Sequence, residues 1–209
     1  WGNRLSIFFT NKNDIDINFL AAKSIGAKFV LSTFKIKKKE LISRCEPCYD
    51  SKNFYLYDTF GGMTNPGKFD TKKSRGLSFK RNLEKQEKNK KNEINLRCYA
   101  NEQKVKKIVE LTGYKRENFI FIKGDVINTI PNKNHKYIAF LRLDTDWYKS
   151  TSHELNHLYK KVSKNGVTIQ DDYGSWDGAR KAVNEFFGKQ KNKPLLLRGP
   201  EGDRVWIKT

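Results

Sequence analysis

The sequence predicts an α/β fold with a mostly parallel sheet, and three observations support this prediction. Strand-like apolar runs alternate with helix-like segments along much of the chain, which is the order typical of parallel sheets covered by helices. Two of the apolar runs end in aspartates, Asp144 with Asp146 and Asp171 with Asp172. The length of 209 residues suits one domain with a substantial core. We therefore predict a single domain over residues 1–209.

The first half of the chain contains few clear elements. We expect its N-terminal stretch to be helical. Residues 52–60 (KNFYLYDTF) form a predicted strand that ends at the Gly61-Gly62 break. Residues 64–96 carry many charges and few apolar side chains, so we interpret them as a lid-like insertion. Residues 101–114 space their apolar side chains for one face of a helix and stop at a glycine.

The second half alternates between strand and helix without interruption. The predicted elements are strands at 117–126, 137–148 and 166–174, helices at 150–162 and 177–189, and a terminal hairpin at 194–209. Because strand and helix alternate, we expect these strands to lie mainly parallel in one sheet.

The paired aspartates predict where the chemistry takes place. Parallel sheets bind ligands at the carboxyl ends of their strands, and both pairs follow predicted buried strands. About 25 residues separate the pairs, which leaves room for one crossover helix between adjacent parallel strands. Convergent carboxylates repel one another unless a cation lies between them, so we predict a hard divalent ion such as Mg²⁺. The alternative is that these acids are helix N-caps or exposed loop residues.

The segment from His153 to His157 (HELNH) offers a different metal chemistry. It matches the HExxH pattern, in which two histidines one helical turn apart bind zinc and the glutamate, here Glu154, activates water. A third ligand would have to be His135 or a carboxylate. The alternative is that both histidines are surface residues of a helix that packs through its leucines. A zinc-dependent hydrolase remains an alternative function.

The three cysteines are too few for a disulfide framework in a chain of this length, which agrees with a reducing compartment. Cys45 and Cys48 form a CxxC pair that could be half of a zinc site or a redox pair. Only Cys98 remains to complete a site. We interpret the pair as a chance arrangement in a loop.

The charge of the chain is strongly basic, with 42 lysines and arginines against 23 acids and a formal net charge of +19. Such a balance favours binding to nucleic acid or to an anionic surface. The excess is mostly lysine spread along the chain, whereas specific readout would interleave arginines with exposed aromatics. We expect no specific nucleic-acid partner, and a basic nucleic-acid-binding module is the non-enzyme alternative.

The hydropathy pattern indicates neither a membrane span nor a secretion signal. No run of about 18 apolar residues occurs, and the first residues lack the basic-then-apolar order of a signal peptide. We expect a soluble, cytoplasmic protein with no membrane partner. The sequence does not decide the oligomeric state, and a homo-oligomer is possible.

Four segments together resemble one enzyme family. LYDTFGGM, FIKGDVINTIP, FLRLDTDWYKST and IQDDYGSWDGARKAV, in this order and spacing, are similar to the macrocin O-methyltransferase (TylF) family of metal-dependent enzymes that use S-adenosylmethionine. The resemblance runs from about Phe54 to Thr209. It implies the class I methyltransferase (Rossmann-like) three-layer sandwich, in which the last strand runs antiparallel.

The resemblance also implies roles for individual residues. Asp58 corresponds to the acid that binds the ribose hydroxyls of the methyl donor, with Thr59 beside it, and Gly124 and Asp125 correspond to the loop near the adenine. Asp125 could instead simply cap a turn. The implied metal ligands are Asp144, Asp171 and Asp172, and the position implied as general base is Asp146. On an extended strand, residues 144 and 146 would point the same way.

The chain departs from the family pattern at its beginning. The family's glycine-rich donor loop follows its first strand, in a stretch that resembles E-x-G-V-W-x-G-G, and this sequence starts at Trp1-Gly2. We expect Trp1 and Gly2 to be the end of that donor-binding loop and the domain to lack its first strand. Residues 3–50 also match the family poorly.

The function implied by the resemblance is a Mg²⁺-dependent O-methyltransferase. Coordination to Mg²⁺ stabilises the alkoxide of a sugar hydroxyl, which is otherwise a poor nucleophile. A base at Asp146 would take the proton while the methyl carbon is transferred. We expect the acceptor to be a sugar or a related polyhydroxyl natural product.

Overall fold

A computed structural model of the protein describes the backbone of residues 6–10 and, with side chains, residues 53–70, 79–85, 97–110, 115–132, 134–200 and 202–209. The strands are β1 (Ser6–Thr10), β2 (Asn53–Asp58), β3 (Phe119–Lys123), β4 (Ile138–Leu143), β5 (Val162–Gln170), β6 (Leu197–Arg198) and β7 (Arg204–Ile207). They form one sheet in the order β3-β2-β1-β4-β5-β7-β6.

The direction of the strands places four carboxyl ends at one edge of the sheet. β2 pairs with β3 and β4 with β5 in parallel, whereas β1 lies between β2 and β4 and is antiparallel to both. β7 runs antiparallel to β5 and to β6. β2, β3, β4 and β5 therefore all end at the same edge, as the predicted fold class requires, and the predicted terminal hairpin is confirmed.

The helices follow the strands as the alternation predicted. They are α1 (Glu102–Glu110), α2 (Val126–Thr129), α3 (Tyr148–Leu158) and α4 (Asp177–Gly188), and residues 79–85 are also helical. In α4 the apolar residues Ala179, Ala182, Val183 and Phe187 recur at helical spacing and are all buried, so one face of the helix packs on the sheet.

The sheet is buried on both faces, which makes the fold a three-layer sandwich. One face packs Phe54, Leu56 and Phe140 together with Val105 of α1. The opposite face joins side chains of β4, β5 and β7 to α2, α3 and α4, and Leu155 and Trp206 are fully buried there. No helix in the described ranges has the length and apolarity needed to cross a membrane.

Three expectations from the sequence need correction. Residues 6–10 form a strand, so the prediction of a helical N-terminal stretch is wrong there, and residues 11–50 lie outside the described residues. β4 ends at Leu143, so Asp144 and Asp146 follow the strand instead of lying on it. Asp171 and Asp172 form a 3₁₀ turn beyond β5.

Candidate functional site

The carboxyl edge of the sheet carries a cleft that opens to solvent. It collects most of the residues predicted from the sequence: its lining comprises Tyr57, Asp58, Thr59, Gly62, Met63, Thr64, Cys98, Gly124, Asp125, Val126, Asp144, Thr145, Asp146 and Ser150. Residues from the ends of β2, β3 and β4 therefore meet in one cavity, as ligand sites in sheets of this kind do.

A tight turn after β2 fixes the position of Asp58. The backbone N–H of Phe60 donates to Asp58 Oδ1 at 2.7 Å, and Thr59 Oγ1 donates to the carbonyl of Gly62 at 2.8 Å. Gly62 has φ of +89°, and a Cβ on it would lie 2.8 Å from the carbonyl oxygen of Arg97. The turn therefore needs glycine at this position.

The loop after β3 lies beside that turn. The N–H of Gly124 donates to the carbonyl of Asp58 at 2.9 Å. Gly124 has φ of +141°, and a Cβ there would approach Thr129 Cγ2 to 2.8 Å. Asp125 Oδ1 accepts the N–H of Ile127 at 2.9 Å and caps α2. Asp125 thus caps a turn, as the alternative proposed, and it also lines the cleft.

Three acids meet where β4 and β5 end. Ligand oxygens of Asp144, Asp171 and Asp172 all lie within 4.8 Å of one another, and in the described residues they are the group of acids, histidines or cysteines that could hold a metal ion. Asp144 and Asp172 are buried and Asp171 is half-buried. This all-oxygen set suits a hard divalent cation such as Mg²⁺.

An arginine that the sequence analysis missed pairs with two of these acids. The guanidinium of Arg142 lies 2.6 Å from Asp144 Oδ2 and 3.1 Å from Asp171 Oδ1. Burial lowers the pKa of Arg142, but the carboxylates of Asp144, Asp171 and Asp172 more than reverse this effect, so the net pKa is raised. Arg142 is therefore a permanent cation that offsets part of the negative charge of the acids.

Asp146 reaches the cleft by a different route from the one predicted. We predicted an extended strand here, yet Asp146 has φ of +66°, in the left-handed region that is uncommon for non-glycine residues. Its N–H donates to Asp172 Oδ2 at 2.8 Å. Asp146 and Asp144 both line the cleft and are buried. The turn therefore places the two carboxylates in one pocket, as we expected an extended strand to do.

Several lining residues were not predicted as site residues, although Met63 and Ser150 lie within the segments LYDTFGGM and FLRLDTDWYKST. Ser150 Oγ donates to the carbonyl of Thr145 at 3.0 Å and so closes the turn between β4 and α3. Thr64 and Cys98 come from segments without a motif. Trp1, Gly2, Cys45 and Cys48 lie outside the described residues.

The described parts of the segment predicted as a lid pack against residues that follow the acids. Phe79 packs with its ring centroid 5.6 Å from that of Trp147 and 5.5 Å from that of Trp176. The indole N–H of Trp147 donates to the carbonyl of Thr64 at 3.0 Å. Both tryptophans are buried, so the lid segment is packed against the residues that follow the acids.

One buried carboxylate anchors this segment. Asp70 accepts the N–H of Gly67 at 2.7 Å and the N–H of Tyr148, the first residue of α3, at 2.8 Å. Burial raises the pKa of Asp70, and these two hydrogen bonds partly oppose the rise. A negative charge at the beginning of α3 also interacts favourably with the helix dipole. Asp70 thus ties the segment to α3, the helix that follows Asp144 and Asp146.

The HELNH segment does not form the arrangement that a zinc hydrolase needs. Its histidines, His153 and His157, stack on each other with ring centroids 4.0 Å apart. Glu154 is fully buried and accepts a hydrogen bond from Thr145 Oγ1 at 2.9 Å. Within the described ranges, these residues belong to no group of three metal-ligand side chains.

The sequence and the fold both match known proteins. Residues 46–197 match the macrocin-O-methyltransferase (TylF) family. A demethyldecarbamoylnovobiocin O-methyltransferase of Streptomyces niveus is 33% identical over 93 residues, which are 44% of this chain and 36% of that protein. An 8-demethyl-8-(2,3-dimethoxy-alpha-L-rhamnosyl)-tetracenomycin-C 4'-O-methyltransferase of Streptomyces olivaceus is 34% identical over 80 residues, which are 38% of this chain and 30% of that protein. The matches thus span about a third of the length of these relatives.

Two solved structures share the fold. The O-methyltransferase NovP superposes with a TM-score of 0.60 at 26% identity, covering 74% of this chain and 59% of NovP. The calicheamicin methyltransferase CalS11 superposes with a TM-score of 0.58 at 18% identity, covering 80% of this chain and 64% of CalS11. The predicted class I methyltransferase fold is confirmed by these neighbours.

Proposed function

Because the chain belongs to the macrocin O-methyltransferase (TylF) family, we propose that the protein transfers a methyl group from S-adenosylmethionine to a hydroxyl of a sugar or polyhydroxyl natural product, with Mg²⁺ as its metal. The observation that carries the proposal is the meeting of Asp58, Asp144 and Asp146 in one cleft. Asp58 is suited to binding a nucleoside, Asp144 to binding a metal ion and Asp146 to accepting a proton. All three line the cleft in which the donor and the acceptor would bind.

The turn after β2 and the loop after β3 form the donor side of the proposed site. Asp58 accepts hydrogen bonds from the ribose hydroxyls, as acids at strand ends do in nucleotide sites, and Thr59 supports the turn beside it. Gly124 and Asp125 lie against that turn and form the edge of the adenine pocket. S-adenosylmethionine supplies a methyl group on a sulfonium, whose departure as a neutral thioether drives the transfer.

The acids at the ends of β4 and β5 form the metal side. Asp144, Asp171 and Asp172 would hold the ion, since their oxygens already converge and oxygen ligands match Mg²⁺. Bound Mg²⁺ would lower the pKa of a coordinated hydroxyl and fix its position. Arg142 holds Asp144 and Asp171 through its ion pairs, so two of the three ligands are oriented before the ion arrives.

Asp146 is the proposed general base. Its carboxyl group is buried and lines the cleft beside Asp144, so a hydroxyl positioned by the metal ligands lies within its reach. It accepts the hydroxyl proton as the oxygen bonds to the methyl carbon. Its backbone N–H donates to Asp172. This hydrogen bond fixes the position of the proposed base relative to a proposed metal ligand, and catalysis requires such alignment of the reacting groups.

Calorimetric titration with S-adenosylhomocysteine tests the donor site. We expect saturable binding that Asp58→Asn weakens about tenfold or more, because a carboxylate makes stronger hydrogen bonds to hydroxyls than an amide does. The matched control is Glu117→Gln, which also removes one negative charge but at an exposed side chain. This variant should bind S-adenosylhomocysteine like the parent protein. Equal affinities of the Asp58 variant and the control would contradict the assignment of Asp58.

Metal binding and methyl transfer are tested in the same preparation. Mn²⁺, read by its electron paramagnetic resonance signal, should bind to the parent protein and be lost in Asp144→Asn. Asp146→Asn should retain both donor and Mn²⁺ binding but lose transfer to a sugar acceptor. Loss of Mn²⁺ binding in Asp146→Asn would mean that this residue is a ligand instead of a base.

A further inference from the structure

A second cleft lies beside the turn of the metal acids and is lined by arginines. Its lining comprises Tyr173, Gly174, Arg180, Arg198, Pro200, Gly202 and Arg204. Tyr173 and Gly174 directly follow Asp172, and the other residues come from α4 and from the hairpin of β6 and β7. Three arginines therefore line one cleft, which begins at the residue that follows Asp172.

Two of the arginines face each other across the hairpin. Arg198 and Arg204 are direct partners in the antiparallel pairing of β6 with β7. Like charges at such positions destabilise a sheet. The side chain of Arg198 is exposed and has no hydrogen bond or ion pair with any residue in the described ranges. An anion between the two guanidinium groups would relieve their repulsion.

The other contacts hold the cleft in shape. The guanidinium carbon of Arg204 lies 4.5 Å from the ring centroid of Tyr173, and that of Arg180 lies 5.8 Å from it. Arg180 Nε donates to the carbonyl of Tyr173 at 3.0 Å. The hydroxyl of Tyr173 donates to Asn184 Oδ1 at 2.8 Å. Tyr173 thus fixes two of the three cations around one aromatic ring.

Backbone contact fixes the arginines relative to the metal acids. A Cβ on Gly174 would lie 2.7 Å from both Cα and O of Gly202, so the turn after β5 and the turn of the hairpin touch without intervening side chains. The Asp203 carboxylate packs against Gly199 within the hairpin and is not part of the cleft lining. The turn that carries Asp171 and Asp172 therefore touches the turn of the hairpin that carries Arg198 and Arg204.

We propose that the arginine cleft binds a phosphate or diphosphate group of the acceptor, so that the acceptor is a phosphorylated sugar such as a nucleoside diphosphate sugar. This inference rests on the proposed function and names its substrate class. Guanidinium groups bind phosphate oxygens through paired hydrogen bonds. The sugar would extend from its phosphate in the arginine cleft toward the acids, which would receive its hydroxyls.

Uridine 5′-diphosphate is a suitable probe, with uridine as the matched compound without phosphate. The titration is run in metal-free buffer with saturating S-adenosylhomocysteine, so that neither the acids nor the donor site captures the probe. We expect uridine 5′-diphosphate to bind and uridine not to. Arg198→Gln should weaken binding about tenfold, whereas Arg116→Gln, the loss of an exposed arginine elsewhere, should change the affinity less than twofold.

Two results would overturn the inference. One is equal weakening by both variants, which would indicate a general charge effect. The other is a single-stranded oligonucleotide that displaces the probe and binds more tightly, which would assign the cleft to nucleic acid. Binding of S-adenosylhomocysteine is measured separately, so failure of the arginine cleft is distinguished from failure of the proposed function. Unfolding temperatures of both variants confirm that they are folded.

Discussion

The backbone N–H of Asp146 donates to the carboxylate of Asp172 at 2.8 Å, across 26 positions of sequence. This hydrogen bond joins the residues that follow β4 to the turn that follows β5. It links the proposed base to a proposed metal ligand, so the geometry of one depends on the other.

Substitutions of Asp172 can separate its two roles. Asp172→Asn retains an acceptor for the Asp146 N–H but loses a charge, so we expect nearly unchanged stability and much weaker Mn²⁺ binding. Asp172→Ala loses the acceptor as well, and the unfolding free energy should fall by about 1–3 kcal/mol because a buried N–H is left without its partner. Denaturant unfolding and metal titration measure both effects. Equal stability of the two variants would refute the role of the hydrogen bond.

Removal of Arg142 should make the protein more dependent on metal. Arg142→Met leaves Asp144 without its buried partner, and breaking such a pair costs about 3–5 kcal/mol. Mg²⁺ would then relieve more carboxylate repulsion than in the parent protein. We therefore expect lower stability without metal and a larger rise of the unfolding temperature on addition of Mg²⁺. Arg116→Met is the control, and a rise no larger than the control's would contradict this view.

Asp70 should anchor the lid segment to α3. Asp70→Ala deprives the N–H groups of Gly67 and Tyr148 of their acceptor, so we expect the unfolding free energy to fall by about 2 kcal/mol or more. Asp70→Asn keeps one acceptor oxygen and should recover part of the loss. Hydrogen exchange at residues 64–70 gives a local readout. Unchanged exchange there in the Ala variant would argue against an anchor.

Stability should fall as the pH drops, partly through His153. Burial is the largest cause of the lowered pKa of His153, followed by the nearby His157 and Lys149, while Asp125 opposes them. The unfolded chain therefore binds a proton at a higher pH than the folded chain, and stability is lost as the pH falls below about 6.5.

Unfolding measured from pH 7 to pH 5 tests this dependence. His153→Asn should flatten the slope of unfolding free energy against pH. His157→Asn should keep most of that slope, because the burial of His153 remains. An unchanged slope in His153→Asn would rule out this contribution.

The sequence was informative where apolar runs ended in acids. The run before Asp144 and the run before Asp171 predicted strands with carboxylates at one edge, because burial on both faces of a sheet leaves few alternatives for such runs. Leu155 and Leu158 likewise predicted the buried face of α3, and both are fully buried. These patterns depend on local hydrophobic periodicity, which is visible in the sequence.

Features that depend on tertiary contact were not predictable in the same way. Arg142 lies on the central strand β4, where a charged side chain is unexpected. Its partners Asp144 and Asp171 come together only when the turns after β4 and β5 are in place. Asp70 is an isolated acid in a charged segment, and its partner amide belongs to a residue 78 positions away. The antiparallel β1 was also missed, because the pattern at its five residues was taken for part of a helix.

The contact between Gly174 and Gly202 also limits how such a protein can diversify. Side chains on the hairpin can be exchanged without moving the acids, whereas a side chain at either glycine would force the two turns apart. Selection for a new ligand would therefore act first on the hairpin side chains, with the turn of Asp171 and Asp172 inherited unchanged. Under the proposed function, acceptor preference and methyl-transfer chemistry could then evolve as separate traits.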